Sequence, residues 1–196
     1  MWLLIIEVVI LVAAYLLGSI PTALLFSRYV KHIDIRAAGN GNMGAQNTFH
    51  ILGAKFGVLV AALDISKGAF TVLLAHVAGL SVGWQIAAGI LTILGHDFPV
   101  FANFRGGQGT ATTLGTMLAL FPIPTLIGAY VYGIMFLLIK NSSRSLSVGG
   151  ALIALILGIT QQWLLLVYAV AVFLFIPVKM WIDSPRRKAI QTAKQK

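Results

Sequence analysis

Residues 2–27 read WLLIIEVVILVAAYLLGSIPTALLFS, and Glu7 is the only charged residue among them. This stretch exceeds the ~20 apolar residues that cross a bilayer, and it is too long for the apolar core of a signal peptide. We therefore interpret it as a retained membrane span. Further apolar segments follow at 55–79, 84–97, 109–121, 124–140, 147–160 and 162–182. This pattern predicts an all-α, polytopic membrane protein with about seven transmembrane or partly spanning helices.

The composition indicates one membrane domain. Of the 196 residues, 59% are hydrophobic and only 10% are charged, which is typical of a membrane protein. We assign residues 1–182 to a single integral membrane domain and residues 183–196 to a basic cytoplasmic tail. The chain has no cysteine, which excludes disulfides, thiolate nucleophiles and Cys-ligated metals. The four histidines show no metal-ligand spacing, so we expect neither a metal nor a cofactor.

Basic residues occur in every second connection between the segments. The connections around residues 80–83, 121–124 and 159–162 contain no basic residue. The others carry Arg28, Lys31, Arg36 and Lys55, then Arg105, then Lys140 and Arg144, with six more at the C-terminal end. The positive-inside rule places these connections and the C-terminus in the cytoplasm, and the N-terminus outside. The net charge of +9 then reflects topology and attraction to anionic membrane lipids, and no nucleic-acid partner is expected.

Two glycine-rich connections stand out among the basic ones. The first is DIRAAGNGNMGAQN at 34–47, and the second is FRGGQGTATT at 104–113. Glycine lets the backbone approach a ligand closely, and successive backbone N–H groups can then converge on phosphate oxygens. The second loop lies between two short segments, which we interpret as partial spans that bring the loop into the protein. Both loops are predicted anion or substrate sites; the alternative for the first is a structured turn.

Neither glycine pattern matches a soluble nucleotide-binding motif. Gly39, Gly41 and Gly44 formally spell GxGxxG, but a membrane helix precedes them instead of a strand, so the dinucleotide-binding interpretation fails. The second loop lacks the GxxxxGK[ST] spacing of a P-loop. The threonines at the end of this loop begin the next predicted helix, and helix N-termini bind phosphate readily.

An ionisable pair lies within the second apolar segment. Asp64 and Lys67 are three residues apart and therefore share one helix face. Charges inside a membrane are costly and usually face a polar interior. The pair is either a self-neutralising structural feature or part of an active-site cavity. His96 is either a structural hydrogen-bonding residue or a catalyst. A further polar cluster at residues 142–150 includes Arg144 and Ser147 and is explained by a helix N-cap.

Five motifs occur in an order that resembles one family. They are GSIP at 18–21, DIR and GNGNMGAQN in the first loop, LDISKG at 63–68, GHDFPVF and FRGGQGTAT around the second loop, and SRSLSVG at 143–149. Together they resemble the bacterial acyl-phosphate-dependent glycerol-3-phosphate acyltransferases. The resemblance implies a multi-pass protein of the bacterial cell membrane whose active site faces the cytoplasm. It implies transfer of a fatty acyl group from acyl phosphate to glycerol 3-phosphate, the first step of phospholipid synthesis, without a metal.

The resemblance also implies roles for individual residues. Asn42, Asn47 and Ser147 are expected to be catalytic. Asp34, Asp64, Lys67 and His96 are expected to be structural or to line the cavity. The expected phosphate-binding residues are Arg36, Gly41, Gly44, Gly106, Gly107, Gly109 and Thr112. Arg105 and Arg144 are added as phosphate-binding residues because the two substrates are anions.

The chain departs from the family pattern at several positions. Asn40, His50 and Gln108 replace a serine, an arginine and a lysine, Gln46 replaces a threonine, and the C-terminal motif with a histidine and an asparagine is absent. These departures favour the alternative that the protein is a non-catalytic relative that binds phosphate-bearing lipid precursors as a regulator or partner subunit. A transporter is less favoured than either the acyltransferase or the non-catalytic relative, because the two halves of the sequence show no internal repeat.

The predicted topology can be tested by labelling single cysteines in this cysteine-free chain. We expect cysteines at Asn40, Gln108 and Lys194 to react with an impermeant thiol reagent only from the cytoplasmic side. A cysteine at Ser81 should react only from outside, because the connections alternate in charge. Labelling of the Ser81 and Lys194 variants from the same side would contradict the seven-segment topology.

Overall fold

The computed structural model describes residues 2–193, which contain α-helices, short 3₁₀ turns and no strand. The 3₁₀ turns, Ile35–Ala37 and Val100–Ala102, lie in the two glycine-rich connections. The helices are α1 (Trp2–Gly18), α2 (Thr22–Lys31), α3 (Ala45–Leu52), α4 (Ala54–Val77), α5 (Val82–Asp97), α6 (Thr110–Leu120), α7 (Pro122–Ile139), α8 (Ser142–Ile159) and α9 (Trp163–Ala193).

Six helical stretches within residues 2–193 are long and apolar enough to cross a membrane. They are Trp2–Lys31, Ala54–Val77, Val82–Ala102, Pro122–Ile139, Ser142–Ile159 and Trp163–Ile190. The seventh, α6, has only 11 residues. The predicted all-α fold with about seven spanning or partly spanning segments is therefore confirmed. The sequence suggested that the third segment is short, and this was wrong. The 3₁₀ turn after α5 extends the segment to 21 residues.

Three segment boundaries differ from the prediction. The first segment is not one helix: α1 ends at Gly18 and α2 begins at Thr22, since Pro21 lacks the N–H group that a continuous helix needs. The end of the first glycine loop is itself helical, because α3 begins at Ala45. The last helix does not stop at residue 182 but continues to Ala193.

Helices in the bundle approach each other at glycines. A Cβ at any of these glycines would overlap backbone atoms of the facing helix. Such small residues allow the close packing that holds membrane helices together, since lipid supplies no hydrophobic driving force between them. The pairs are Gly18 and Gly95 between α1 and α5, Gly68 and Gly115 between α4 and α6, and Gly128 and Gly149 between α7 and α8.

Both glycine-rich loops lie at one end of the bundle. A tight turn at residues 78–81 reverses the chain between α4 and α5, so the start of α4 and the end of α5 lie side by side. Arg36 of the first loop donates a hydrogen bond from Nη1 to the carbonyl of Ala102, at 2.9 Å. The end of α9 reaches the same place, where Ile190 packs against Gly41. This end of the bundle is where the candidate site must lie.

The glycine contacts generate a paired stability test. Gly115→Ala places a methyl group against the Ile65 carbonyl of α4 and should cost about 1–3 kcal/mol by overpacking. Gly133→Ala is the matched control, because a Cβ at Gly133 of α7 meets nothing within 4 Å. We expect Gly115→Ala to lower the midpoint of thermal unfolding in detergent by several degrees. Equal midpoints for the two variants would show that the α4 and α6 backbones are not in close contact.

Candidate functional site

A buried ionic cluster joins three helices below the glycine loops. Asp64 Oδ1 of α4 accepts a hydrogen bond from Thr22 Oγ1 of α2 at 2.8 Å and pairs with Lys67 Nζ at 2.9 Å. Lys67 Nζ also lies 2.8 Å from Nδ1 of His96 on α5. An ammonium group can only donate, so Nδ1 is the acceptor and the other ring nitrogen, Nε2, carries the proton of the neutral imidazole. The predicted Asp64–Lys67 pair is therefore present, and His96 joins it through Lys67.

An apolar groove begins at this cluster. It has a volume of about 460 Å³ and lies between the α1–α2 break and α4. Lys67 lies on its wall together with Thr22 and Ser66, and the other lining residues are apolar, among them Ile20, Leu25, Phe26 and Phe70. A groove of this size and polarity can accept a hydrocarbon chain whose polar end reaches Lys67.

His96 also supports the second glycine loop. The N–H groups of Gly107 and Gly106 donate to the carbonyls of His96 and Asp97, at 3.1 and 3.2 Å. A Cβ at Gly107 would overlap the His96 imidazole, so the glycine allows the ring and the loop to lie in contact. Because these N–H groups are engaged within the protein, they are not the anion donors that the sequence predicted.

The first loop is ordered by one amide side chain. Nδ2 of Asn47, which is only 1% exposed, donates to the carbonyls of Ile35, Ala38 and Asn42 at 3.3, 3.0 and 2.9 Å. Its Oδ1 accepts from the N–H of Asn40 at 2.9 Å. Asn47 therefore closes the loop around itself, and its hydrogen-bonding groups are used in doing so.

Arg36 and Asp34 connect the two loops. Nε and Nη2 of Arg36 donate to the Asp34 carboxylate, with the shortest contact at 2.7 Å, and Nη1 bonds to Ala102. The Arg36 hydrogen bonds lower the pKa of Asp34, and Asp34 in turn raises the pKa of Arg36. A guanidinium has five N–H donors, so Arg36 retains donors for a ligand while it holds the loops together.

Unengaged polar groups gather near the starts of the short helices. The first N–H groups of an α-helix have no partner within the helix, and α6 begins directly after Gly109. Within residues 2–193, the buried side-chain atoms Thr112 Oγ1, Thr113 Oγ1 and Asn42 Oδ1 have no hydrogen-bond partner. Gly44 lies next to Asn42, whose Nδ2 would be 3.3 Å from a Cβ at Gly44. The N–H of Gly41, in contrast, donates to Ala38 at 3.0 Å.

Three expected site residues are exposed. Arg105 lies in the second glycine loop, whereas Arg144 and Ser147 lie on α8. Ser147 Oγ donates to the Ser143 carbonyl at 3.1 Å, and it borders a separate groove of about 310 Å³ between α8 and α9. Among the described residues, no hydrogen bond or ion pair joins Arg144 or Ser147 to either glycine loop.

Sequence reasoning missed three polar groups of this region. Thr22 binds Asp64, and both Asp97 carboxylate oxygens are buried without a hydrogen-bond partner in the described chain. On α9, Lys179 pairs with Asp183 at 2.5 Å. The four-residue spacing of Lys179 and Asp183 was a usable signal, because it places both on one helix face.

Comparison with known proteins gives consistent similarities. A family model described as "Glycerol-3-phosphate acyltransferase" matches residues 8–186. Glycerol-3-phosphate acyltransferase 4 of Dehalococcoides mccartyi (strain CBDB1) is 50% identical over 115 residues, which cover 59% of this chain and 50% of that protein. The glycerol-3-phosphate acyltransferase of Streptococcus pyogenes serotype M5 is 40% identical over 147 residues, covering 75% and 68%. The chain thus spans about half the length of the first of these relatives.

Two crystal structures of an integral membrane protein share the fold. Both are of PlsY (YgiH), a glycerol 3-phosphate acyltransferase, one in its glycerol 3-phosphate form and one in its lysophosphatidic acid form. The first superposes with a TM-score of 0.82 at 32% identity, and the second with 0.80 at 31%. Each comparison covers 92% of this chain and 90% of the other.

The role of Asn47 in the first loop can be tested with an isosteric change. Asn47→Asp replaces the amide donor by a carboxylate oxygen that faces three carbonyls, which should cost about 1–3 kcal/mol. We expect faster hydrogen–deuterium exchange of residues 35–47, with α7 and α8 unchanged. Gln46→Glu is the matched control, because Gln46 is the neighbour of Asn47 in the chain and its side chain is exposed. Equal exchange in the two variants would contradict this role.

Proposed function

This chain belongs to the glycerol-3-phosphate acyltransferase family, and on that premise we propose that it transfers a fatty acyl group from acyl phosphate to the 1-hydroxyl of glycerol 3-phosphate. The products are lysophosphatidate and inorganic phosphate, in the first step of phospholipid synthesis. The observation that supports this most strongly is the position of the apolar groove. It begins at Lys67, whose ammonium contacts His96, and His96 in turn supports the second glycine loop.

The reaction needs no covalent intermediate on the protein. Acyl phosphate is a mixed anhydride, so the glycerol hydroxyl oxygen can attack the acyl carbon directly. The new ester C–O bond forms while the C–O bond to phosphate breaks, and the departing phosphate takes the hydroxyl proton. The protein then contributes positioning of two substrates and stabilisation of the charge on the carbonyl oxygen.

The arrangement of residues suits these tasks. The acyl chain would occupy the apolar groove, and the phosphate of the acyl phosphate would lie toward the start of α6 after Gly109, where the first N–H groups of the helix have no partner within it. The remaining donors of Arg36 would bind a phosphate oxygen beside the first loop. The free Oδ1 of Asn42 would accept a hydrogen bond from a glycerol hydroxyl and orient it. Arg105 is exposed at the second loop and would attract both anions electrostatically.

The location of the site follows from charge. The loop end of the bundle carries Arg36, Arg105 and the basic residues at the end of α9, whereas the turns at the other end carry none. We propose on the positive-inside rule that this end faces the cytoplasm of a bacterial cell. The large apolar side chains on the outer faces of the helices contact membrane lipids.

One alternative function has specific support. Gln108 and His50 replace cations of the family pattern, and Gln108 Nε2 is buried without a partner in the described residues. A protein that retains the fold but has lost turnover would bind the same phosphate-bearing precursors as a regulator or partner subunit. Binding without product formation is the outcome that would support this alternative.

The proposal predicts a defined reaction for the purified protein. In lipid nanodiscs with acyl phosphate and glycerol 3-phosphate, we expect equal amounts of lysophosphatidate and inorganic phosphate, measured by mass spectrometry and a phosphate assay. Gly107→Ala should lower turnover by about 10- to 100-fold, because its methyl group displaces His96 and the second loop. Gly83→Ala, at the opposite end of α5 and in open surroundings, serves as the control. Absence of lysophosphatidate with the wild-type protein would refute acyl transfer.

A further inference from the structure

A lysine is fully buried on α9. Lys179 is 1% exposed, and its Nζ lies 2.5 Å from Asp183 Oδ2 and 4.9 Å from the centre of the Phe98 ring. Asp183 has a second cationic neighbour, because Arg186 Nη2 lies 3.5 Å from its other carboxylate oxygen. Lys179 therefore shares its counter-ion with a more exposed arginine.

Lys179 lies beside the second glycine loop. Phe98, which its ammonium faces, directly follows Asp97, and the carbonyl of Asp97 accepts the Gly106 N–H. The Asp97 carboxylate lies at the start of α6, with Oδ1 3.0 Å from the position of a Cβ at Gly109. Farther along α9, Ile190 packs against Gly41 of the first loop. The C-terminal half of α9 thus lies against both loops.

The local charges do not form a closed structural pair. Burying two ions costs more than a single pair usually returns, so a buried salt bridge is weak evidence for a stabilising role. Around Lys179, the Asp97 carboxylate and Arg186 Nε are buried and lack hydrogen-bond partners in the described part of the chain. Donor and acceptor capacity is therefore present beside the loop and is not used within the protein.

We propose that Lys179 is a phosphate-binding residue of this site, which exchanges Asp183 for a substrate phosphate when the ligand binds at the start of α6. Arg186 retains Asp183 after the exchange, so no carboxylate is left without a counter-ion. This inference rests on the proposed function, since it assigns a binding group to the same phosphate substrates.

The test separates binding from folding. In Lys179→Met/Asp183→Asn both members of the ion pair are replaced, so neither is left as a buried charge without its partner. We expect the Kd for glycerol 3-phosphate by calorimetry, or the KM for acyl phosphate, to rise by about 10- to 100-fold. The substrate whose constant rises identifies which phosphate Lys179 binds. Lys188→Met is the matched control, because Lys188 is an exposed lysine of the same helix.

Unchanged Kd and KM for both substrates in the double variant would overturn the proposal, and so would loss of its thermal unfolding transition. If the wild-type protein neither binds nor converts the two substrates, the proposed function itself fails.

Discussion

The structure depends on the compensation of charge inside a membrane bundle. An isolated carboxylate among apolar helices is costly, so Asp64 must find partners. It finds them on two helices, with Thr22 on α2 and Lys67 on its own helix α4, and Lys67 extends the network to His96 on α5. The relative positions of three helices are thereby fixed at the level of the glycine loops. The second loop follows, because its Gly107 can approach only where the His96 ring leaves room.

Features set by local sequence could be predicted. The spacing of Asp64 and Lys67 places them on one helix face whatever surrounds them, and segment counting places the two glycine loops at one end of the bundle. The short fourth segment was recognisable from its length, and α6 does have only 11 residues. The contact between the loops through Arg36 and Ala102 follows from that shared end, although its partners could not be identified from sequence.

Features that depend on distant contacts could not be predicted. The glycine pattern suggested free N–H groups, yet those of Gly106 and Gly107 donate to the carbonyls of Asp97 and His96, nine and eleven positions earlier. Asn47 looked like a substrate ligand, but its amide is consumed by the turn that it closes. Lys179 falls at the end of the last predicted membrane segment, 162–182, and its burial depends on how α9 packs against Phe98. Contacts between residues that are distant in the sequence cannot be inferred from composition or local spacing.

The break between α1 and α2 has a mechanical consequence. An uninterrupted helix over residues 2–31 would be about 45 Å long and would have to tilt or kink in a bilayer whose core is ~30 Å thick. Because the helix ends at Gly18, α1 and α2 need not share one axis, and α1 keeps its close glycine contacts with α5. Thr22, on the far side of the break, keeps its hydrogen bond to Asp64. The break thus gives one stretch of chain two separate tasks: α1 crosses the bilayer beside α5, and α2 contributes Thr22 to the polar cluster.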